Sequence, residues 1–270
     1  MKRILFYDRS IEDREDMMMN PVIVRNVSVG EGIPKICVTI VGKTRDEILG
    51  TAEEILNSQA DLVEWRVDWF ESVFDIEEVK DVLADLRAIL GELPMLFTFR
   101  TKAEGGEKEI SYEQYSKLLK KIAGTGLADL IDVEVFIDDS VAELVAELQK
   151  VGVKVVGSNH DFAKTPDQEE LVHRLCNMQE VGVDIPKIAV MPQCQKDVLT
   201  LLAATEEMAS KHANRPIVTM SMAGMGAVSR IAGESFGSAI TFGALQKASA
   251  PGQIPVGDLK KILEIMHTEP

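Results

Sequence analysis

Several charged or reactive side chains interrupt apolar, strand-like runs, where burying them is costly unless they serve one another or a ligand. In Ile185-Pro186-Lys187-Ile188-Ala189-Val190-Met191-Pro192, Lys187 is the one charged residue, and a pleated strand puts it on a face with Ile185, Ala189 and Met191. Such a lysine either snorkels its ammonium to a rim or is a buried amine, kept partly neutral and able to attack a carbonyl to form a Schiff base. In Glu64-Trp65-Arg66-Val67-Asp68-Trp69, three charged residues take one face and three apolar residues the other. Asp132 and Glu134 alternate in the same way in a later run, Arg100 ends another, and His160 lies near the end of a fourth. Each, taken singly, is explained by a satisfied ion pair or a place at a solvated mouth. Together they point to a polar cavity made to hold a polar ligand.

The elements that must position these groups repeat as a short apolar run followed by a helical pattern. Strands are predicted over residues 35–42, 62–70, 94–101, 130–137, 153–162, 185–192, 216–224 and 238–244. Thr44-Arg45-Asp46-Glu47 forms a capping box for the first helix, and Ser111 begins the third. Ile76, Val79, Leu83, Leu86 and Leu90, at spacings of three and four, mark the second, and residues 141–151 the fourth. Thr165-Pro166-Asp167-Gln168 reads as an N-cap with proline at the first helical position, opening a helix over 166–181, followed by helices over 195–213 and 256–267. Residues 22–29 alternate loosely and form a short hairpin or lid strand before Gly30-Glu31-Gly32.

Eight strands alternating with helices, without a linker or composition break, define an α/β chain folded as one eightfold parallel β/α barrel over residues 19–270, with an extension at 1–18. An open doubly wound sheet is the alternative; the chain lacks a Gly-x-Gly-x-x-Gly loop after its first strand. In a barrel the charged strand faces point inward, and the functional end is the C-terminal one.

The formal charge of -15 excludes a phosphate-backbone partner, although local arginines can still collect a small anion. Cys37, Cys176 and Cys194 read as reduced thiols, and neither they nor the scattered histidines His160, His173, His212 and His267 have metal-site spacing. The chain shows no signal peptide and no run of about 20 apolar residues, so a cytoplasmic protein without membrane partners is expected.

The motifs Gly-Glu-Gly-x-Pro-Lys-Ile (30–36), Glu-Trp-Arg-Val-Asp (64–68), Phe-Arg-Thr-Lys-Ala-Glu-Gly-Gly (99–106), Ser-Asn-His-Asp-Phe (158–162), Pro-Lys-Ile-Ala-Val-Met-Pro (186–192), Ser-Met-Ala-Gly-Met-Gly with Ser229-Arg230, and Ala-Ser-Ala-Pro-Gly-Gln (248–253) resemble those of the type I 3-dehydroquinate dehydratases. They span residues 30–255 in the family's order. The resemblance implies dehydration of 3-dehydroquinate to 3-dehydroshikimate in the shikimate pathway, with no cofactor and no metal. It implies that Lys187 forms an imine with the C3 ketone, that His160 takes the C2 proton and returns it to the departing C1 hydroxyl, and that Glu104 orients this histidine. Glu104 alone, in the charged, Gly-rich run 102–108, reads as an exposed loop residue. Arg66, Arg100 and Arg230 match the family's arginines, with Glu64 accepting a substrate hydroxyl and Arg230, Ser249 and Gln253 holding the carboxylate. Thr39 is a further binding candidate, equally readable as a core threonine, while Asp68, Asp132 and Glu134 balance the arginines. Residues 246–257 resemble the family's lid, and a homodimer is expected. A class I aldolase would use the same lysine, and a non-catalytic ligand-binding barrel is the third reading.

Overall fold

The computed structural model describes residues 20–245 and 252–267. The expected 1–18 extension, Ser249 and most of the expected lid lie outside the described residues. A hairpin comes first, β1 (Val22–Val24) pairing antiparallel with β2 (Val27–Val29). The barrel strands follow: β3 (Lys35–Ile40), β4 (Leu62–Arg66), β5 (Met95–Thr98), β6 (Leu130–Glu134), β7 (Lys154–Asp161), β8 (Ile185–Val190), β9 (Val218–Ser221) and β10 (Ile240–Ala244). A short β11 (Ile254–Pro255) adds to β10. Neighbours from β10 through β3 to β9 are laddered in parallel and in sequence order. Helices α1 (Arg45–Ile55), α2 (Ile76–Leu90), α3 (Tyr112–Ala123), α4 (Val141–Lys150), α5 (Gln168–Val181) and α6 (Gln195–Glu207) connect successive strands. After β9 two short helices, α7 (Ala227–Ile231) and α8 (Gly233–Phe236), replace a full crossover helix, and α9 (Val256–Met266) ends the described chain.

Strand alternation divides the core as the sequence requires. Outward residues such as Ile188 and Val190 pack with the helices' apolar stripes, as Val79, Leu83 and Leu86 do on α2. Inward residues form a second cluster: Cys37, Leu62, Leu96, Leu130, Val156, Ile185, Val218 and Ile240, the lowest apolar inward residue of each strand. Val22, Val24 and Val29 of the hairpin pack on this layer, closing the N-terminal end. One pleat higher, Thr39, Glu64, Thr98, Asp132, Ser158 and Lys187 follow on β3 to β8, with Met220 and Phe242 on β9 and β10. The barrel is therefore dry at its base and polar above it.

The seam between β9 and β10 is built differently. Their backbones meet at one bridge, Ile217 with Ser238, where Ala239 N donates to Ile217 O at 2.8 Å. Above it, hydroxyls stand in for a ladder. Ser238 Oγ accepts from Thr219 N at 3.0 Å, and Ser229 Oγ of α7 accepts from Ser221 N at 2.9 Å while donating to Gly226 O at 2.7 Å. Gly226 must be glycine, since a Cβ would lie 2.1 Å from Ser221 O.

Most strands end a few residues inside the expected ranges, as β6 does at Glu134 and β9 at Ser221, and three boundaries differ for a visible reason. Strand β4 stops at Arg66, whose ψ of 82° breaks the pleat, and Val67–Trp69 forms a 3-10 turn that carries Asp68 inward by another route. Helix α5 begins at Gln168 with Asp167 as its cap, accepting from Glu170 N, because the Thr165 hydroxyl is taken by Met191 O at 3.1 Å. Helix α6 widens into a π-helical turn, Met208–His212, before Ala213.

A repeated device sets the base. Asp61, Asp129 and Asp184 each precede an even-numbered barrel strand, donate a backbone N–H to the preceding strand and accept an amide from it through the side chain: Ile36 N, Met95 N and Val155 N, each at 2.8 Å. Asp129 also receives Arg25 Nε of the hairpin turn and Arg87 Nη2 of α2, both at 2.6 Å. Asp129→Ala would strand an amide and two guanidiniums, a loss of about 2–4 kcal/mol. A lowered melting temperature with kcat intact at 25 °C is expected; an unchanged melting temperature would show that the hairpin is held by apolar packing alone.

Candidate functional site

The C-terminal mouth gathers the sequence-predicted residues around one buried cation, Arg100. Its Nη2 donates to Asp132 Oδ1 at 2.8 Å, and its Nη1 to Glu134 Oε1 and Ser158 Oγ, both at 2.9 Å, with Glu104 Oε2 at 3.5 Å. Burial alone would depress this guanidinium, but Asp132, Glu134 and Glu104 hold its proton well above the ordinary range. Glu134 also accepts from Thr101 N and Oγ1, at 2.8 and 2.7 Å, so the loop after β5 is tied to β6. The loop then brings in Glu104, with Gly105 at φ +83° and Gly106 so close to Arg100 O that a Cβ would lie 1.9 Å away.

Glu104 meets His160. Its Oε2 accepts from the His160 backbone N–H and lies against Nδ1, both at 2.9 Å, leaving Nε2 for another partner. Asn159 Nδ2 donates to Oε1 at 3.0 Å. Burial, opposed by Arg100 and reinforced by Glu134, pushes the Glu104 carboxyl up to about 8. Burial, with Arg100, Lys187 and Arg66, holds the His160 imidazole well below its ordinary value. The contact therefore behaves as one unit that keeps a shared proton through neutrality and yields a basic imidazole as that proton leaves. Phe162 stacks on the His160 ring, with centroids 6.5 Å apart.

Lys187 is 4% exposed, its Nζ 3.7 Å from Glu64 Oε1 and 4.4 Å above the Phe242 ring. It is register-paired with Ser158, so His160 stands two residues, roughly 7 Å, nearer the mouth on the neighbouring strand. Glu64 accepts from Thr39 Oγ1 and Thr98 Oγ1, both at 3.0 Å. Burial would raise this carboxyl, but Lys187, then Arg66 and Arg100, hold it below its usual range. Arg66 is half-buried and forked onto Asp68 at 2.7 and 2.8 Å.

Arg230 stands apart. It projects from α7 into the seam, is 3% exposed, and places Nη1 3.4 Å from Phe242 O and 4.0 Å from Met220 Sδ. Its Nε has no hydrogen-bond partner, and burial alone lowers its affinity for the proton, with no described carboxylate offsetting it. Gly252 packs against the turn before α7, where a Cβ would meet Ala223 O at 2.2 Å, which sets Gln253 beside the segment carrying Arg230.

The mouth thus unites Lys187, His160, Glu104, Glu64, Thr39, Arg66, Arg100 and Arg230. Sequence reasoning missed Phe242 under the lysine, and Ser158 and Asn159, which stood unused inside the Ser-Asn-His-Asp-Phe motif. It also missed Tyr115 of α3, whose hydroxyl accepts from Glu134 N at 3.1 Å where the β5–β6 ladder has ended.

Fold and site together define a class, a parallel β/α barrel whose functional mouth holds a buried amine beside a hydrogen-bonded histidine and carboxyl. A family model described as type I 3-dehydroquinase matches residues 36–270. The chain belongs to the type I 3-dehydroquinase family. A Clostridioides difficile (strain 630) protein named 3-dehydroquinate dehydratase is 55% identical over 251 residues, covering 93% of this chain and 98% of that one. Its namesake from Klebsiella pneumoniae (strain 342) is 52% identical over 250 residues, covering 92% and 100%. The crystal structure of the type I 3-dehydroquinate dehydratase from Clostridium difficile with covalently modified comenic acid aligns at a TM-score of 0.91, covering 93% of this chain and 99% of that one at 55% identity. The Geobacillus kaustophilus HTA426 3-dehydroquinate dehydratase aligns at 0.89, covering 93% and 97% at 39% identity.

Isotope-edited NMR should show the Glu104 carboxyl titrating at about 8, with the neutral His160 ring reporting that step as a shift at the Nδ1 it holds against Glu104. In Glu104→Gln the imidazole should stay neutral down to below pH 6.5, because burial and the three cations remain. Unchanged titration in that variant would mean that the two groups do not share a proton.

Proposed function

We propose that this protein dehydrates 3-dehydroquinate to 3-dehydroshikimate through an imine on Lys187, with His160 moving the protons. The observation that carries the reading is the buried Lys187 amine, set between Glu64 and the His160–Glu104 pair in an otherwise compensated polar layer. Family membership supports the same reaction.

The Lys187 nitrogen adds to the C3 carbonyl carbon, and loss of the carbonyl oxygen as water leaves a protonated imine. That cation draws electron density from C2, so the C2 proton becomes acidic. His160, with Nδ1 held by Glu104, offers Nε2 to take it. The electron pair expels the C1 hydroxyl, which leaves as water carrying the proton from His160. Water then hydrolyses the product imine and frees Lys187. Phe242 presents its ring face to the Lys187 nitrogen and stabilises the positive charge of the imine formed there. Glu64 receives a substrate hydroxyl.

Arg230 binds the substrate carboxylate, aided by Gln253 and Ser249. Its support is the unpaired Nε and the lack of any described acid beside it, since a buried guanidinium of this kind is stabilised by an arriving anion. Arg66 contributes at the rim. Arg100, with its Nη atoms engaged by three carboxylates, contributes mainly by fixing Glu104.

Incubation with 3-dehydroquinate should generate the absorbance of a conjugated enone, and borohydride should trap an adduct that maps to Lys187. Lys187→Ala should abolish both, whereas His160→Ala should still trap the adduct while turnover falls by about a hundredfold or more. Full turnover by Lys187→Ala would end the imine mechanism.

Ala189 is the next inward residue above Lys187 and leaves room for a ring-shaped substrate. Ala189→Leu should remove measurable affinity for product in calorimetry while the thermal transition stays cooperative. Retained affinity would place the substrate elsewhere in the mouth.

A further inference from the structure

We propose that Arg174, on α5 outside the barrel, is a positioning residue for the proton chemistry of His160: it fixes the Asn159 amide so that its NH2 end faces Glu104. The proposal rests on the role of His160 given above and adds a residue that cannot touch substrate.

The path is short and directional. Asn159 directly precedes His160 on β7, so alternation turns its side chain to the helix-facing side of the barrel while His160 faces the mouth. Arg174 Nη1 donates to Asn159 Oδ1 at 2.9 Å, and Asn159 Nδ2 donates to Glu104 Oε1 at 3.0 Å. The other Glu104 oxygen serves His160. Arg174 is itself pinned, its Nε donating to Glu170 Oε1 at 2.7 Å, and Glu170 N is held by the Asp167 cap.

Chemistry decides the orientation of that amide. A guanidinium carries donors only, and Glu104 Oε1, with the shared proton at Oε2 against His160, accepts only. Reversing Asn159 would set its NH2 against Arg174 and its carbonyl against Glu104, two repulsive contacts exchanged for two charge-assisted hydrogen bonds. Without Arg174 only one end is specified, and the amide can leave Glu104 for solvent. Backbone contacts fix the loop through Gly106, but the carboxyl at the end of the Glu104 side chain needs this lateral donor to keep Oε2 on His160.

The other groups facing Glu104 define the expected effect. Arg100 from the end of β5 favours its ionised form, Glu134 and Asp132 of β6 oppose it, and His160 of β7 shares its proton. The Asn159 donor favours the ionised form, so its loss lets the pair keep its proton to higher pH.

The test uses the full chain with Arg174→Met, Arg174→Lys and Asn159→Asp. Wild type must first give enone product and the Lys187 adduct; if it does not, the underlying reading fails before any variant is made. In Arg174→Met we expect a cooperative melt and undiminished borohydride adduct, kcat down about tenfold near pH 7, and the rising limb of kcat against pH displaced by about one unit to the alkaline side. Arg174→Lys, which keeps a donor-only cation, should recover most of both. Asn159→Asp should shift the limb further than Arg174→Met. An unmoved pH profile in Arg174→Met, or equal losses in Met and Lys variants without a pH shift, would overturn the proposal.

Discussion

The upper half of this barrel depends on compensating one buried guanidinium. Arg100 is 2% exposed, and taking such a charge from water costs several kcal/mol unless charged and hydrogen-bonding partners surround it. Asp132, Glu134, Ser158 and Glu104 provide them from β6, β7 and the loop after β5. The same contacts do the positioning. Glu134 ties down Thr101, the tied loop carries Glu104, and Glu104 holds the imidazole of His160.

Charge is distributed unevenly around the cavity, and this unevenness gives the site a direction. Acids gather on the Arg100 side, whereas Arg230 across the mouth has no described acid near it. Lys187 lies between, with Glu64 and an aromatic face as its nearest partners. A substrate with a carboxylate at one end and a carbonyl partway along its ring can be read by such an arrangement in one orientation only. Under the proposed reaction the carboxylate would be drawn to Arg230 and the carbonyl left near the amine.

Alternation made much of this legible from sequence, because it depends only on adjacent residues. The inward placement of Lys187 with Ile185 and Ala189 follows from the pleat and is the arrangement found. Asp68 shows where that reasoning stops, since it reaches the interior through a 3-10 turn whose start depends on the Arg66–Asp68 fork. Glu104 was readable only by resemblance: its loop is polar and Gly-rich, and its burial comes from β6 and β7, far away in sequence. The internal partners of Arg100 were not legible, because Asp132 and Glu134 lie 32 and 34 residues away and leave no local pattern. The Asp61, Asp129 and Asp184 brackets did leave one, an apolar-Asp-aliphatic triplet opening alternate strands, which is visible once its backbone bonds are known.

The hydroxyl-stitched seam between β9 and β10 has a consequence for how wide the cavity is. Around the rest of the wall, spacing is set by backbone ladders at about 4.8 Å and cannot vary with side-chain identity. At this one joint the circumference is set by the Ser238 and Ser229 side chains and by the helix bearing Arg230. The bore of the barrel is thus adjustable at the point where Arg230 enters it. A methyl or hydroxyl added or removed along this joint would change the girth of the cavity while every laddered strand keeps its register.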